Sequence, residues 1–257
     1  MIISVLSPAK SLDFESEVDV SKTTEPRFLD QSEQIAKKLK TLSRNKLSDL
    51  MSISTQLADL NYGRNQEWDV DHSDNAKPCF FAFDGDVYTG LEASSLSQQN
   101  VDFAQDHVRI LSGLYGLLRP LDLIHPYRLE MGTKLPIGRK KNLYEFWDDQ
   151  ISLKLNADFG DSSEKVLLNL ASNEYFKSVQ KKKLDAKVLD VDFKDFKNGK
   201  YKVISFFAKK ARGAMARFQI ENEINKTNDL KGFDWEGYTF NDKLSEESKW
   251  VFTRESN

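Results

Sequence analysis

Residues 166–170, Val166-Leu167-Leu168-Asn169-Leu170, are the stretch from which the fold of this 257-residue chain is first predicted. An almost continuous apolar run of this length is typical of a buried strand. Ser172 follows at the position of a helix N-cap, ahead of a segment that contains Tyr175 and Val179. The sequence therefore places a buried strand and a helix next to each other in one core.

Other segments extend this pattern in both directions along the chain. Apolar runs predict further strands at residues 1–6, 79–83, 188–193 and 201–207. Asn198-Gly199 lies between the last two runs, which is a strong signal for a hairpin. Apolar residues at helical spacing predict helices over 28–42, 46–60, 101–111, 142–155 and 209–224. Because no repeat, low-complexity tract or linker divides residues 1–257, we predict a single compact α+β domain with a mixed sheet and surrounding helices.

The composition is that of an ordered globular protein, with 39% apolar and 30% charged residues. The single cysteine, Cys79, has no partner for an internal disulfide, which fits a reducing compartment. Residues 1–6 lack the basic segment of a signal peptide, and no window approaches the roughly 18 apolar residues of a spanning helix. We expect a soluble, cytoplasmic monomer with no membrane association.

Positive charge is concentrated in residues 177–217, although the whole chain has a net charge of −3. This block has thirteen Lys and Arg against four Asp, for a net charge of 13 − 4 = +9, so the remaining residues sum to −3 − 9 = −12. A phosphate polyanion responds to the local field of such a block and not to the net charge of the chain. The block is the main indication of what the protein binds.

One helix within this block has a geometry suited to phosphate binding. At 100° per residue, its four cations fall within about half of the circumference; they are Lys209, Lys210, Arg212 and Arg217. Gly213 and Ala216 share that arc, so a phosphate backbone could approach closely, and the helix N-terminus would add its dipole. The alternative is an ordinary solvated helix face.

A second basic region covers residues 109–141, with seven bases against two acids for a net charge of +5. It contains Gly113 and Gly116 after a predicted helix, together with Arg119 and Arg128. Paired glycines at such a position can present backbone N–H groups to a phosphate. An ordinary turn is the alternative interpretation.

Two polar turns that follow predicted strands carry candidate catalytic residues. Lys10 could bind an anion or, if buried, act as a nucleophilic amine. Asp84 and Asp86 flank Gly85 and could bind a metal or transfer protons, although aspartates are also common in plain turns. The three histidines show no metal-ligand spacing, so we expect no dedicated metal site and no cofactor.

Five segments, taken in order, resemble the YaaA peroxide-stress family. They are residues 7–13 (SPAKSLD), 83–91 (FDGDVYTGL), 111–132 (LSGLYGLLRPLDLIHPYRLEMG), 169–177 (NLASNEYFK) and 204–213 (ISFFAKKARG). The resemblance implies a YaaA-like fold with a positively charged cleft that binds double-stranded DNA. It also implies a bacterial stress-response protein that limits peroxide damage to DNA and proteins, in part by lowering free intracellular iron.

The resemblance, combined with the charges, predicts the residues of a largely sequence-independent DNA site. They are Lys10, Gly113, Gly116, Arg119, Arg128, Lys209, Lys210, Arg212 and Arg217. The family also implies a helix-hairpin-helix element, for which two positions stay open: residues 113–119, or the helix pair 28–42 and 46–60. We expect a binding protein rather than an enzyme. The alternatives are an enzyme that acts on a nucleotide or damaged base through Lys10, with Asp84 or Asp86 moving protons, and a protein that sequesters iron directly.

Overall fold

The computed structural model describes residues 1–255. The strands are β1 Ile2–Leu6, β2 Ser11–Leu12, β3 Lys77–Pro78, β4 Phe83–Asp84, β5 Val108–Ser112, β6 Gly116–Leu118, β7 Leu123–Ile124, β8 Val166–Asn169, β9 Lys187–Lys197, β10 Lys200–Lys202, β11 Thr239–Phe240 and β12 Lys249–Glu255. The helices are α1 Leu29–Lys40, α2 Arg44–Met51, α3 Thr55–Glu67, α4 Cys79–Ala82, α5 Asp86–Leu91, α6 Gln98–His107, α7 Leu143–Trp147, α8 Gln150–Phe159, α9 Asn173–Phe176 and α10 Ser205–Glu221. Short 3₁₀ segments lie at Ala93–Ser95, Lys181–Lys183, Thr227–Gly232, Trp235–Gly237 and Asp242–Leu244.

The centre of the molecule is a mixed, eight-stranded sheet, which confirms the predicted α+β class. Its order is β11-β12-β9-β8-β1-β5-β6, with β10 paired to β9. The pairs from β12 across to β5 are parallel, whereas β11, β6 and β10 add antiparallel neighbours. Strands β1, β5 and β8 are buried along their whole length. Parallel strands covered on both faces have such continuous apolar sequences, so residues 166–170 are correctly predicted as a buried strand.

The hairpin predicted at Asn198-Gly199 is confirmed, but its second strand is shorter than expected. Asn198 and Gly199 both have positive φ, at 55° and 77°, as a two-residue hairpin loop requires. Strand β10 ends at Lys202, and α10 begins at Ser205. The apolar residues of 203–207 therefore belong to the entry and first turn of a helix.

Four other predicted elements need correction. Residues 79–82 form one helical turn and not a strand, and its first two amides, those of Cys79 and Phe80, donate to the carbonyls of Asp122 and Pro120. The helix predicted over 101–111 ends at His107, and residues 108–112 pair with β1 as strand β5. The helix predicted over 46–60 is two helices, separated at 52–54. The helix predicted over 142–155 is also two helices, α7 and α8, because Asp148 has a positive φ of 47° and breaks the helical path between them.

Helix α10 crosses α5 at a contact between two glycines and backbone. A Cβ on Gly213 would lie 1.7 Å from the carbonyl oxygen of Val87, and one on Gly90 would lie 2.0 Å from that of Lys210. Gly213 and Ala216 are buried. The expectation that these small residues face a phosphate backbone is therefore wrong, because that arc of α10 packs on α5.

A buried ion cluster ties α8 to β5 and to the segment before α1. The carboxylate of Asp158 pairs with Arg27 and, at 2.6 Å from Nε, with Arg109. The three side chains are between 5% and 15% exposed. Arg109 also donates to the carbonyl oxygens of Gln105 and Val108. The cluster leaves one buried carboxylate between two guanidinium groups.

Candidate functional site

A cavity of roughly 520 Å³ lies where β1 and β8 end. The two strands are parallel neighbours, so the loops that follow them leave the sheet at the same edge. The lining residues are Ser7, Pro8, Ala9, Lys10, Ser11, Asp84, Gly85, Asp86, Val87, Tyr88, Leu170, Ser172, Glu174, Tyr175, Val203, Ser205, Ala208, Lys209 and Arg212. Four of the five segments that carry the family resemblance therefore meet at one site. Ligand sites of sheets with parallel strands commonly lie at this edge.

The floor of the cavity is fixed by hydrogen bonds between these loops. Ser7 Oγ accepts from the backbone N–H of Ser172 at 2.9 Å, and the Tyr88 hydroxyl donates to the Ser7 carbonyl at 3.1 Å. Burial raises the pKa of Tyr88 well above its ordinary value. The phenol therefore stays protonated and holds α5 against the end of β1.

Lys10 lies at the mouth of the cavity and is ion-paired. Its Nζ is 3.0 Å from Oε1 of Glu130, and Arg128 Nη2 is 3.1 Å from the same oxygen. The Lys10 side chain is 63% exposed. A nucleophilic lysine is usually desolvated, whereas Lys10 is exposed and its charge is paired with the carboxylate of Glu130. Its exposed position suits a lysine that binds an anion from solvent. Arg128 lies at the same edge of the cavity, because it contacts the same Glu130 carboxylate.

The two aspartates of the predicted turn occupy different positions. Asp84 is exposed and belongs to β4, which pairs with β2. Asp86 begins α5 and binds Lys209 of α10, with 3.2 Å between Oδ2 and Nζ. Both side chains of that pair are substantially exposed, and such pairs contribute about 0–1 kcal/mol to stability. Lys209 can thus exchange Asp86 for a ligand at little cost.

Arg212 is the cation of this cavity that has no partner. It is partly buried, and no residue of the described chain accepts a hydrogen bond or an ion pair from it. Burial lowers the pKa of its guanidinium from the ordinary value, and the charge of Asp192 opposes that shift. A largely desolvated guanidinium that no carboxylate contacts favours an incoming anion, which it can hold through two parallel N–H donors.

Gly113 and Gly116 are not brought to this cavity. Both are buried. A Cβ on Gly116 would meet the Trp147 ring at 2.6 Å, and one on Gly113 would meet the Leu129 carbonyl oxygen at 2.4 Å. Their glycine requirement comes from internal packing around the β5–β6 turn, which is the alternative left open by the sequence. Their amides offer no phosphate contact in this fold.

The remaining predicted cations also lie outside the cavity lining. Arg119 binds the fully buried Asp122, with Nη2 to Oδ1 at 2.9 Å. Arg217 donates to Ser95 and to the carbonyls of Leu91 and Glu92 at the end of α5. Lys210 lies over the Phe206 ring, with Nζ 4.6 Å from the centroid. Arg119 and Arg217 are therefore engaged in contacts within the protein.

The cavity is mixed in charge. Its lining contains three bases, Lys10, Lys209 and Arg212, and three acids, Asp84, Asp86 and Glu174. Most of the other bases of the +9 block lie in the 3₁₀ segment Lys181–Lys183 and in the β9–β10 hairpin. The net charge of the block along the sequence therefore overstates how cationic the cavity is.

Helices α2 and α3 form a helical hairpin where the sequence predicts one helix over 46–60. Residues 52–54 join the helices; Ser52 is left-handed at φ 52°, and Ser54 Oγ accepts from the Leu57 N–H at 3.3 Å. Ser52, Ser54 and Thr55 are exposed. The apolar spacing from Leu47 to Leu60 continues across this turn, so the pattern predicts one helix and misses the break. The useful signal was Ser54, a preferred N-cap residue, directly ahead of a helical segment.

Two further findings concern residues 1–255. No three His, Cys, Asp or Glu side chains in this range form a group that could hold a metal ion. No helix in it combines the length and the apolar character needed to cross a membrane.

The fold and the site define an α+β protein with a cavity, lined by charged and apolar side chains, at the carboxyl edge of a mixed sheet. A family model described as "Peroxide stress protein YaaA" matches residues 1–244. The chain belongs to this family, which confirms the resemblance found in the five segments. It is also similar to a UPF0246 protein of Flavobacterium johnsoniae, with 53% identity over 251 residues that cover 97% of this chain and 99% of that protein.

Proposed function

We propose that this protein acts in the peroxide stress response of the cytoplasm by binding double-stranded DNA, and that it thereby helps to lower free iron and limit oxidative damage. Lys10, Lys209 and Arg212 would contact phosphates around the cavity, and Arg128 would assist at the edge through Glu130. The family supports the stress role. Contacts to phosphates do not depend on base identity, so such binding would be largely independent of sequence.

The observation that carries this proposal is the unpartnered guanidinium of Arg212. Lys209 lies three residues away on α10 and shares the cavity lining with it. A phosphate placed there would gain a bidentate partner without breaking an existing pair. The exposed Asp86–Lys209 pair could then open to supply a second cation.

The α2–α3 hairpin is a second candidate contact, and we place the expected helix-hairpin-helix element there. Its turn at 52–54 is exposed, and the first amides of α3 point along a helix axis whose N-terminus carries partial positive charge. A DNA strand could accept hydrogen bonds from these amides. Asp59 and Arg44, which pair at 2.8 Å, lie beside it.

Replacing Arg212 by Ala is expected to weaken binding to a duplex by about tenfold or more, because a charge-assisted hydrogen bond is lost. The slope of log affinity against log salt concentration should fall in magnitude by about 0.9 for each phosphate contact removed. Fluorescence anisotropy over a salt series measures both quantities. In peroxide-treated cells, the same variant should leave more chelatable iron than the wild type.

Three variants serve as comparisons in that assay. Arg212→Lys should keep the salt slope and lose part of the affinity, since the charge stays and the planar fork does not. Lys243→Ala removes an exposed lysine outside the cavity and should change little. Thr55→Glu, at the start of α3, should weaken binding by repulsion if the hairpin contacts a phosphate. The proposal fails if the wild type shows no salt-dependent binding, or if Arg212→Ala matches it.

The second candidate function is an enzyme that acts on a nucleotide or a damaged base. Lys10, Asp84 and Asp86 line one cavity at the carboxyl edge of the sheet, which favours this alternative. A lysine amine could attack the aldehyde of an abasic site and form an imine with loss of water.

Borohydride reduction would convert such an imine into a stable lysine–DNA adduct. We expect no adduct with an abasic duplex, because Lys10 is exposed and paired with Glu130. Denaturing electrophoresis after borohydride treatment provides the measurement. An adduct formed by the wild type and absent from Lys10→Ala would establish the enzyme and displace simple binding.

A further inference from the structure

Residues 69–76, which lie between α3 and β3, are held to the rest of the protein mainly through a pair of stacked histidines. Most side chains of this segment are exposed, whereas His72 is buried and stacks on His125, with 4.4 Å between the ring centroids. The segment contains no helix or strand. Segments with so few buried contacts are among the parts of a fold that open most readily, so the two rings decide whether this one stays in place.

The hydrogen bonds assign one neutral tautomer to His72. The Tyr115 hydroxyl accepts from Trp68 Nε1 at 2.8 Å and from the backbone N–H of His125 at 3.1 Å. Its own proton therefore goes to His72 Nε2, which lies 3.2 Å away. Since Nε2 accepts, Nδ1 carries the ring proton and donates it to the Val70 carbonyl at 2.9 Å. Burial lowers the pKa of His72, and the charge of His125 lowers it further, so this ring stays neutral.

His125 has the opposite requirement, because both of its ring nitrogens face carbonyl oxygens. Nδ1 lies 3.2 Å from the carbonyl oxygen of Asn75, and Nε2 lies 3.0 Å from that of Asp71. A carbonyl oxygen can only accept, so both contacts are hydrogen bonds only when both nitrogens are donors. An imidazole with two N–H donors is the charged imidazolium.

The charges around the two rings are mainly negative. The groups that contact the pair or line the adjoining cavity of roughly 340 Å³ are Glu25, Arg64, Glu67, Asp69, Asp71, His72, Asp74 and Tyr115. Only Arg64 among them is a permanent cation. Hydrogen bonds from Ser73 lower the pKa of Asp71, and the charges of the histidines add to that effect. Ionised carboxylates near His125 favour its charged form.

We propose that His125 is a pH-sensitive latch for residues 69–76: its imidazolium holds the segment through the carbonyls of Asp71 and Asn75, and loss of one proton releases it. The neutral ring has a single N–H, so a nitrogen lone pair would face one of the two carbonyl oxygens and that hydrogen bond would be lost. Because the fold favours the charged ring, the latch is closed at low pH and weakens as the pH rises. Asp71, Asn75 and His125 line the adjoining cavity, so its wall would loosen with the segment.

Nuclear magnetic resonance of the wild-type protein tests the charge states. Long-range proton–nitrogen spectra distinguish a ring with two N–H groups from either neutral tautomer. At about pH 6, His125 should show two protonated nitrogens and His72 only a protonated Nδ1, and only His125 should titrate up to about pH 9. A neutral His125 or a charged His72 at about pH 6 would overturn the proposal.

Limited proteolysis measures the opening of the segment, because cleavage follows the population of the open form. An endoproteinase that cleaves before aspartate can act at Asp69, Asp71 and Asp74. Its rate on an unstructured peptide of the same sequence, measured at each pH, corrects for the pH dependence of the enzyme itself. The corrected rate for the wild type should rise about tenfold or more from about pH 6 to about pH 8.5, since one charge-assisted hydrogen bond is lost.

Two variants separate the latch from a general effect of pH. His125→Gln has no charge to lose, so its segment should be cleaved rapidly at both pH values. His107→Gln is the matched control, because that histidine lies on α6 and stacks on Phe103; it should keep the wild-type pH dependence. Equal corrected rates for the wild type at both pH values, or a pH dependence that survives in His125→Gln, would refute the latch. The spectra of the wild type remain decisive if His125→Gln does not fold.

Discussion

Gly213→Ala is expected to lower the free energy of unfolding by about 3 kcal/mol or more, because the added methyl group has no space. Its Cβ would lie 1.7 Å from the Val87 carbonyl oxygen and 2.8 Å from the Leu91 nitrogen. These are backbone atoms of α5, so no side chain can rotate away and the two helices must separate. Urea denaturation followed by circular dichroism measures the loss.

The matched control for this prediction is Gly63→Ala in α3, where nothing lies within 4 Å of the added Cβ. Alanine is favoured over glycine inside a helix by about 0.5–1 kcal/mol, so this variant should be slightly more stable than the wild type. Separation of α5 from α10 would also disturb the Asp86–Lys209 pair. Equal stability of Gly213→Ala and the wild type would show that the helices do not touch at this crossing.

Asp158→Ala should cost about 3–5 kcal/mol of stability, because it leaves two buried guanidinium groups without a counter-charge. Arg109 and Arg27 are only 5% and 15% exposed, so water cannot replace the carboxylate. Asp161→Ala, which removes an exposed carboxylate just beyond α8, should stay within about 0.5 kcal/mol of the wild type. Chemical denaturation at pH 7 compares the two variants.

The same cluster gives the wild-type protein a dependence on acid. Burial by itself would raise the pKa of Asp158, but the hydrogen bonds and charges of Arg27 and Arg109 outweigh it and lower that pKa below its ordinary value. This contribution to stability is complete above the unfolded-state pKa of about 3.9 and is lost as the pH falls through the folded-state pKa. Asp158→Asn should therefore show a shallower loss of stability below about pH 4. A decline parallel to that of the wild type would place the acid sensitivity elsewhere.

Much of the candidate site could be predicted from the sequence, because polar residues follow buried strands. Lys10 and Ser172 lie in the turns that follow runs whose apolar character predicts strands, and both line the cavity. The positions of the four α10 cations on one arc were also predicted correctly. The contacts of that arc could not be predicted, because a glycine such as Gly213 permits close packing on another helix as well as close approach of a phosphate. In the structure Gly213 packs on α5.

The sequence by itself determined the α+β class, the buried strands β1 and β8, the Asn198-Gly199 hairpin and the family, because each depends on local residue patterns. Only the tertiary structure decided which charges are available. Arg119 is ion-paired with Asp122, and Arg217 is hydrogen-bonded to the end of α5. Arg212, in contrast, has no hydrogen-bond or ion-pair partner among the described residues. The reason is physical: the sequence contains every charge, but the partner and the burial of each charge depend on segments far apart in the chain that folding brings together.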